Sequence, residues 1–238
     1  MTLRGAVALL VVGGLAAGAM ALWDSPALDL RRVEVGGNRR VGAHDIVVAS
    51  DLSARDHLLS ISTAGVAARV ERNPWVARAH VERILPSSVR ITVVERAPAA
   101  VVVAGPSRYL VDGEGVVLEK VATGNTGATG GLPVVADLPL QGLVAGRHVP
   151  LAQFGQALTI LHALPQAMRD RVSVVRAPSV EGIALELSGG PVILFGAAER
   201  LEDKRFALEA VTRMAAADGV TLASIDVRVP ERPAALPR

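Results

Sequence analysis

The sequence predicts an α+β chain with a single N-terminal transmembrane helix. A small β-α-α-β-β unit follows, then a larger β-rich unit with a mostly antiparallel sheet and flanking helices. Three observations bear on this. Residues 6–23 carry no charge and are long enough for a membrane-spanning helix, as an anchor or as a leader. Residues 28–97 order their hydrophobic patterns as strand, helix, helix, strand, strand. Residues 98–229 set short period-two runs between Gly and Pro turns, together with two helical stripes. The 238 residues suffice for two domains and an appendage.

The first element is AVALLVVGGLAAGAMALW, residues 6–23. As a helix it would span about 27 Å, close to the hydrocarbon thickness of a bilayer. Arg4 precedes it, and Trp23, a residue suited to the membrane interface, closes it. Ala19-Met20-Ala21 also fits a leader-cleavage site, so the residues alone leave anchor and signal peptide open. Both readings export the chain that follows.

The small unit begins extended over Leu28 to Val35 and turns at Gly36-Gly37-Asn38, which favours positive φ. Ala43 to Ser50 reads as a short helix, and Leu58, Leu59 and Ile61 as an extended apolar link. Ser62 or Thr63 can cap a helix running to about Arg72, which Asn73-Pro74 stops. A hairpin follows. Trp75, Ala77, Ala79 and Val81 are expected on one face, with Arg78, His80 and Glu82 opposite. Val89, Ile91 and Val93 alternate with Arg90 and Thr92 in the returning strand. Leu85-Pro86-Ser87 makes the corner, and Glu95-Arg96 with Pro98 closes the hairpin. Trp75 is read as core rather than as a binding anchor, and Glu95-Arg96 as structural contacts where the two units join.

In the larger unit, Ala99 to Ala104, Tyr109 to Asp112 and Val116 to Leu118 are strand candidates. Residues 122–131 are a low-complexity Gly/Thr run. Leu151 to Leu164 reads as a helix. Val172 to Val175, Ile183 to Leu187 and Val192 to Phe195 read as strands, with a turn at Gly189-Gly190. Glu199 to Ala217 places Leu201, Leu208, Val211 and Ala215 on one stripe, and Asp218-Gly219 ends it. In the last strand, Thr221 to Val229, Ser224, Asp226 and Arg228 face away from Ala223, Ile225, Val227 and Val229. Pro230, Pro233 and Pro237 follow, so this strand is expected to form an open sheet edge where a partner strand can add. Asp226 and Arg228 read equally well as a solvated face or as an interface.

Composition narrows the function. Half the residues are hydrophobic but only 3% are aromatic, and the net charge is +2. Lysine occurs only at 120 and 204, so no dense basic face for nucleic acid is present. There is no cysteine, which excludes disulfides and thiolate metal sites. His44, His57, His80, His148 and His162 lack the spacing of metal ligands or of a catalytic group. The 122–131 run lacks the Gly-Lys-Ser/Thr ending of a phosphate loop, and no Gly-x-Ser-x-Gly is found. No catalysis, metal or cofactor is expected.

VEVGGNRRV at 33–41 and NPWVARAHVERILPSSVRITVVERAP at 73–98 stand in fixed order. VDGEGVVLE at 111–119, Leu132-Pro133, Gly196, Lys204 and the Ile225-Asp226-Val227-Arg228 strand follow them. In these the chain resembles the FtsQ/DivIB family of bacterial cell-division proteins. The resemblance implies a cytoplasmic tail at 1–5, shorter than is usual in the family, and a transmembrane helix at 6–23. It implies a POTRA domain at 28–97, an FtsQ-type β domain at 98–229 and a proline-rich tail at 230–238. It favours an uncleaved span in the cytoplasmic (inner) membrane, with the N-terminus inside and the bulk of the chain in the periplasm or on the exported side. It also implies a divisome scaffold, concentrated at the septum, that binds FtsB and FtsL and links other division proteins. Binding would run through the last strand, here Ser224, Asp226, Val227, Arg228 and Val229. Asn73, Pro74, Trp75, Pro86, Glu95, Arg96, Pro98, Gly196 and Lys204 would be mainly structural. Two rivals are weaker. A POTRA-bearing protein of outer-membrane biogenesis or secretion needs a barrel of alternating strands. An exported enzyme needs a catalytic constellation.

Overall fold

A computed structural model describes residues 12–14, 25–122 and 130–238. The expected span at 6–23 lies outside the described residues except for 12–14, which are helical. Among the described residues no helix is long and apolar enough to cross a membrane. Most of the Gly/Thr run also lies outside them. The chain divides between Glu95 and Arg96 into two compact units.

In the first unit the elements are β1 (Arg32–Gly36), α1 (Ala43–Ser50), α2 (Thr63–Val70), β2 (Val76–Ile84) and β3 (Ser88–Glu95). Central β3 pairs parallel with β1 and antiparallel with β2. Its alternation buries Val89, Ile91 and Val93, and Ile46 of α1 and Val66 and Val70 of α2 are buried in the same unit. Ser62 caps α2, its Oγ accepting the amide of Gly65 at 3.1 Å. Gly37 turns the chain with φ +81°, and a Cβ there would stand 2.2 Å from the Val93 carbonyl oxygen, so only glycine fits.

Two expectations for this unit change. The link at Leu58–Ser60 is a 3-10 turn that buries Leu58, not an extended segment. β2 also breaks its alternation. Val76 pairs with Glu95 but Arg78 with Val94, so Ala77 is an extra, bulged residue. The bulge turns Val76 inward to 2% exposure, and the face expected to run from Trp75 through Ala77 is interrupted.

The second unit runs β4 (Pro98–Ala104), β5 (Ser107–Asp112), β6 (Val117–Val121), β7 (Val134–Ala136), α3 (Ala152–Ala163), α4 (Gln166–Arg169), β8 (Val172–Arg176), β9 (Ala184–Leu187), β10 (Val192–Leu194), α5 (Leu201–Ala217), β11 (Leu222–Asp226) and β12 (Ala234–Pro237). Its described strands form one sheet in the order β12-β11-β10-β9-β8-β7-β4-β5-β6. Pairing is parallel at β10–β11, β7–β8 and β4–β7 and antiparallel at the other junctions. Phe154, Leu158 and Leu161 of α3 and Leu208 of α5 belong to one core with Val102, Val111, Val175, Leu185, Ile193 and Ile225 of the sheet.

Sequence periodicity did not show β7, α4 or β12. β7 is three residues long, and β12 is four residues, all exposed, so neither carries a readable pattern. β12 overturns the expected open edge. The strand ending at Asp226 is interior, held by β10 on one side and β12 on the other. The stretch expected as a tail at 230–238 therefore contributes a strand.

Candidate partner-binding site

The end of the nine-stranded sheet is set by α5, β11 and β12. α5 is an amphipathic helix whose Leu208 enters the core while Met214 stays 66% exposed. Gly219, at φ +66°, terminates it, and the Val220 amide donates to the Ala215 carbonyl at 2.8 Å. β11 then returns parallel to β10. Between α5 and β12 lies a groove of about 290 Å³, lined mainly by Val211, Met214, Val220, Leu222, Ala235 and Pro237. The sequence reading missed this groove. Val211 and Met214 stand three apart on α5 and could have flagged one wall, but the other wall needs β12.

The five expected partner-binding residues occupy different situations. Ser224 is half-buried between Val192 of β10 and Leu236 of β12. Asp226 sits between Leu194 and Ala234. Val227 is fully buried, and its amide donates to the Leu194 carbonyl at 3.0 Å. Its side chain is enclosed in the core. Arg228 and Val229 are exposed.

Arg228 closes on Asp226 rather than pointing freely outward. Its Nε donates to Oδ1 at 3.0 Å and its Nη2 to Oδ2 at 2.6 Å, while its own amide donates to Oδ1 at 3.0 Å. The guanidinium holds the Asp226 carboxyl below its ordinary range, burial opposing and the Arg228 amide assisting. The Arg228 stem lies over Gly196, where a Cβ at φ +73° would come 3.1 Å from Arg228 Cγ.

Lys204 secures the other side of this glycine. The side chain is 2% exposed and donates from Nζ to the carbonyls of Phe195 (3.1 Å) and Ala197 (2.9 Å). Burial pushes its pKa down, with Glu199 raising it and Arg200 lowering it further. Arg200 pairs with Asp203 and with Glu231 in the turn that leads to β12. Gly196, Lys204 and Arg228 thus form one knot that fixes where β10 and β11 end.

The remaining motif residues also do structural work, each inside its own unit. Asn73 Oδ1 accepts the Trp75 amide at 3.0 Å, and its carbonyl accepts the Val76 amide at 2.9 Å, so Asn73-Pro74 shapes the entry to β2. Arg40 stacks over the Trp75 ring, 3.8 Å from its centroid. Pro86, after a cis bond, lies in the β2–β3 turn. Glu95 accepts the amides of Arg39, Arg40 and Val41 at 2.9 to 3.0 Å, which locks the β1–α1 loop. Burial raises the Glu95 pKa, but the three amide bonds together outweigh it and leave the carboxyl low. Arg96 bonds Asp112 at 2.6 Å and Glu114 at 2.9 Å, and Asp112 in turn caps the amides of Glu114 and Val116. Pro98 opens β4 opposite Asp112. Among the described residues no group of three or more His, Asp or Glu is placed to hold a metal.

Known proteins place these motifs in a family. A family model described as POTRA domain, FtsQ-type, matches residues 28–96. One described as cell division protein FtsQ/DivIB, C-terminal, matches residues 100–228. The chain is 32% identical over 143 residues to the cell division protein FtsQ of Syntrophotalea carbinolica, covering 60% of this chain and 49% of the relative. To the protein of that name from Mycolicibacterium smegmatis it is 33% identical over 191 residues, 80% of this chain and 54% of the relative. To that of Anaeromyxobacter sp. strain K it is 30% identical over 223 residues, 92% and 74%. The chain spans about half the length of the first two relatives. With a POTRA match followed by a C-terminal match over more than half its length, the chain belongs to the FtsQ/DivIB family of cell division proteins.

Proposed function

We propose that the chain is a bitopic scaffold of the bacterial divisome that binds FtsB and FtsL at the β11–β12 end of its second unit. Residues 6–23 would anchor it in the cytoplasmic membrane, with the two units on the exported side. An anchor fixes location and raises the effective concentration at which partner segments meet. The exposed surface of the first unit is the part proposed to recruit and link other division proteins. The reading requires no catalysis and no cofactor.

One observation carries the reading. The sheet ends in a short exposed strand, β12, beside an apolar groove floored by α5. A sheet end with an adjacent apolar slot suits a partner that adds a strand and packs side chains next to it.

Met214→Glu tests it. Met214 is exposed, so the far-UV circular dichroism should stay unchanged while the groove gains a carboxylate. Recovery of FtsB and FtsL in co-purification should fall by about tenfold or more, the size of a groove anchor's loss. Unchanged recovery, or a fluorescent fusion of the full chain spread evenly over the envelope instead of gathering at the septum, would sink the reading.

A further inference from the structure

The first unit has an entry end, where the chain arrives through Ser25. There β1 and β3 begin and β2 finishes: Arg32 pairs with Ser88, and Ser88 with Ile84. Arg31 ties the β2–β3 turn to the arriving chain. Its amide donates to the Ser87 carbonyl at 2.8 Å, and its Nη2 donates to the Pro26 carbonyl at 3.3 Å. The Leu30 amide donates to the Asp56 carbonyl at 2.9 Å, which brings the loop at 53–56 to the same end.

This end is apolar at its tip and basic around it. Leu85 is 65% exposed in the β2–β3 turn, and Pro86, Pro26 and Ala27 are exposed beside it. A lone exposed apolar residue is ordinary. Here its surroundings give it meaning. Arg31, Arg32 and Arg55 are exposed, and no group among the described residues pairs with the guanidinium of Arg32 or Arg55. The carboxylates of Asp29 and Asp56 are half-buried, and that of Asp56 accepts the Ser53 amide at 2.8 Å.

The position of this end relative to the proposed anchor completes the case. Ser25 stands two residues beyond Trp23, where the uncharged stretch closes. Two residues reach at most about 7 Å. The headgroup layer is about 5–7 Å deep on each side of the hydrocarbon. The 3-10 turn at Pro26–Leu28 then begins among headgroups, and Arg31 holds the Leu85-Pro86-Ser87 turn next to it.

We propose that the entry end of the first unit docks on the lipid surface, with Leu85 entering the boundary between headgroups and acyl chains and Arg31, Arg32 and Arg55 binding headgroup phosphates. The inference rests on the anchor reading above and deepens it: the span holds the chain in the membrane, and the dock orients the first unit on it. Guanidinium forks match phosphate oxygens. An apolar tip ringed by arginines is held at the interface by both burial and charge. β3 then rises from the surface, and Val94, six residues beyond Ser88, stands about 20 Å further out.

Depth measurements on the full chain test this, in vesicles of phosphatidylethanolamine and phosphatidylglycerol. The chain has no cysteine, so Leu85→Cys and Val94→Cys each give a single site for a fluorescent label. Val94 is also an exposed apolar residue, 58% exposed, and serves as the outer reference. The label at 85 is expected to be quenched several-fold less by aqueous acrylamide than the label at 94, and to be quenched by nitroxide-bearing lipid, which leaves the label at 94 bright. Arg32→Glu with Arg55→Glu should bring the label at 85 close to the behaviour of the label at 94, with the far-UV circular dichroism unchanged. Equal acrylamide quenching at the two sites, in a chain that stays with the vesicles through an alkaline wash, would overturn the dock and leave the anchor standing. Release of the chain by that wash would overturn both. A label at 85 that is shielded from acrylamide but not reached by nitroxide lipid would mean a protein cover and overturn the proposal. Full shielding that survives both arginine reversals would overturn the phosphate contacts, and the proposal with them.

Discussion

Glu95 shows how a single side chain can organise a loop distant in sequence. Its carboxylate gathers three consecutive amides of the β1–α1 loop. Hydrogen bonds to a charged acceptor contribute about 1.5–3 kcal/mol each when formed away from water. Glu95 is only half-buried, so Glu95→Ala is expected to lower the stability of the first unit by about 2 kcal/mol, read by urea unfolding. The sign of the pH effect follows from the lowered carboxyl. Glu95 contributes fully above the ordinary carboxylate range, and the contribution is lost as pH falls through the folded-state value. The gap between wild type and Glu95→Ala should therefore close on acidification; a gap that stays constant would contradict the amide cradle. Lys204→Met keeps the apolar stem but strands two carbonyls, and should cost the second unit about 2–3 kcal/mol by thermal or urea unfolding. Arg228→Glu is a poorer probe of an interface than the sequence suggests. It would place a second carboxylate against Asp226, so amide exchange across residues 226–233 should rise even without a partner.

Elements differ in how legible they are. β3 is plain in the sequence because Val89, Ile91 and Val93 alternate with polar neighbours and the structure buries that set. α2 announces its start through Ser62, and Ser62→Ala is expected to destabilise the first unit by about 1 kcal/mol, again by urea unfolding. β2 is legible as a strand but not in its phase, since the bulge at Ala77 depends on pairing with β3. β12 is not legible. Its Ala-Ala-Leu-Pro has no inward-facing apolar pattern, and the prolines at 230, 233 and 237 read as a tail. What makes it a strand is the unfilled hydrogen-bonding edge of β11, a partner 8 to 15 residues away in sequence. At this scale the sequence reading of the candidate site placed the sheet edge one strand too early, because β12 pairs outside the strand that ends at Asp226.

The whole molecule is built as two units, each with a core of its own. A chain segment with its own core is expected to fold alone. Residues 25–95 expressed separately should unfold cooperatively with dispersed amide resonances; collapsed, poorly dispersed spectra would show that the first unit depends on the second. The sequence by itself determined the family, the β-α-α-β-β order and most faces of the strands. These follow from local causes, the two-residue and 3.6-residue periods and turn chemistry at Gly, Asn and Pro. Only the tertiary structure decided which strand lies at the sheet's end, where Lys204, Gly196 and Arg228 meet, and that a groove runs between α5 and β12. Those outcomes turn on backbone edges and buried groups that find partners from distant parts of the chain.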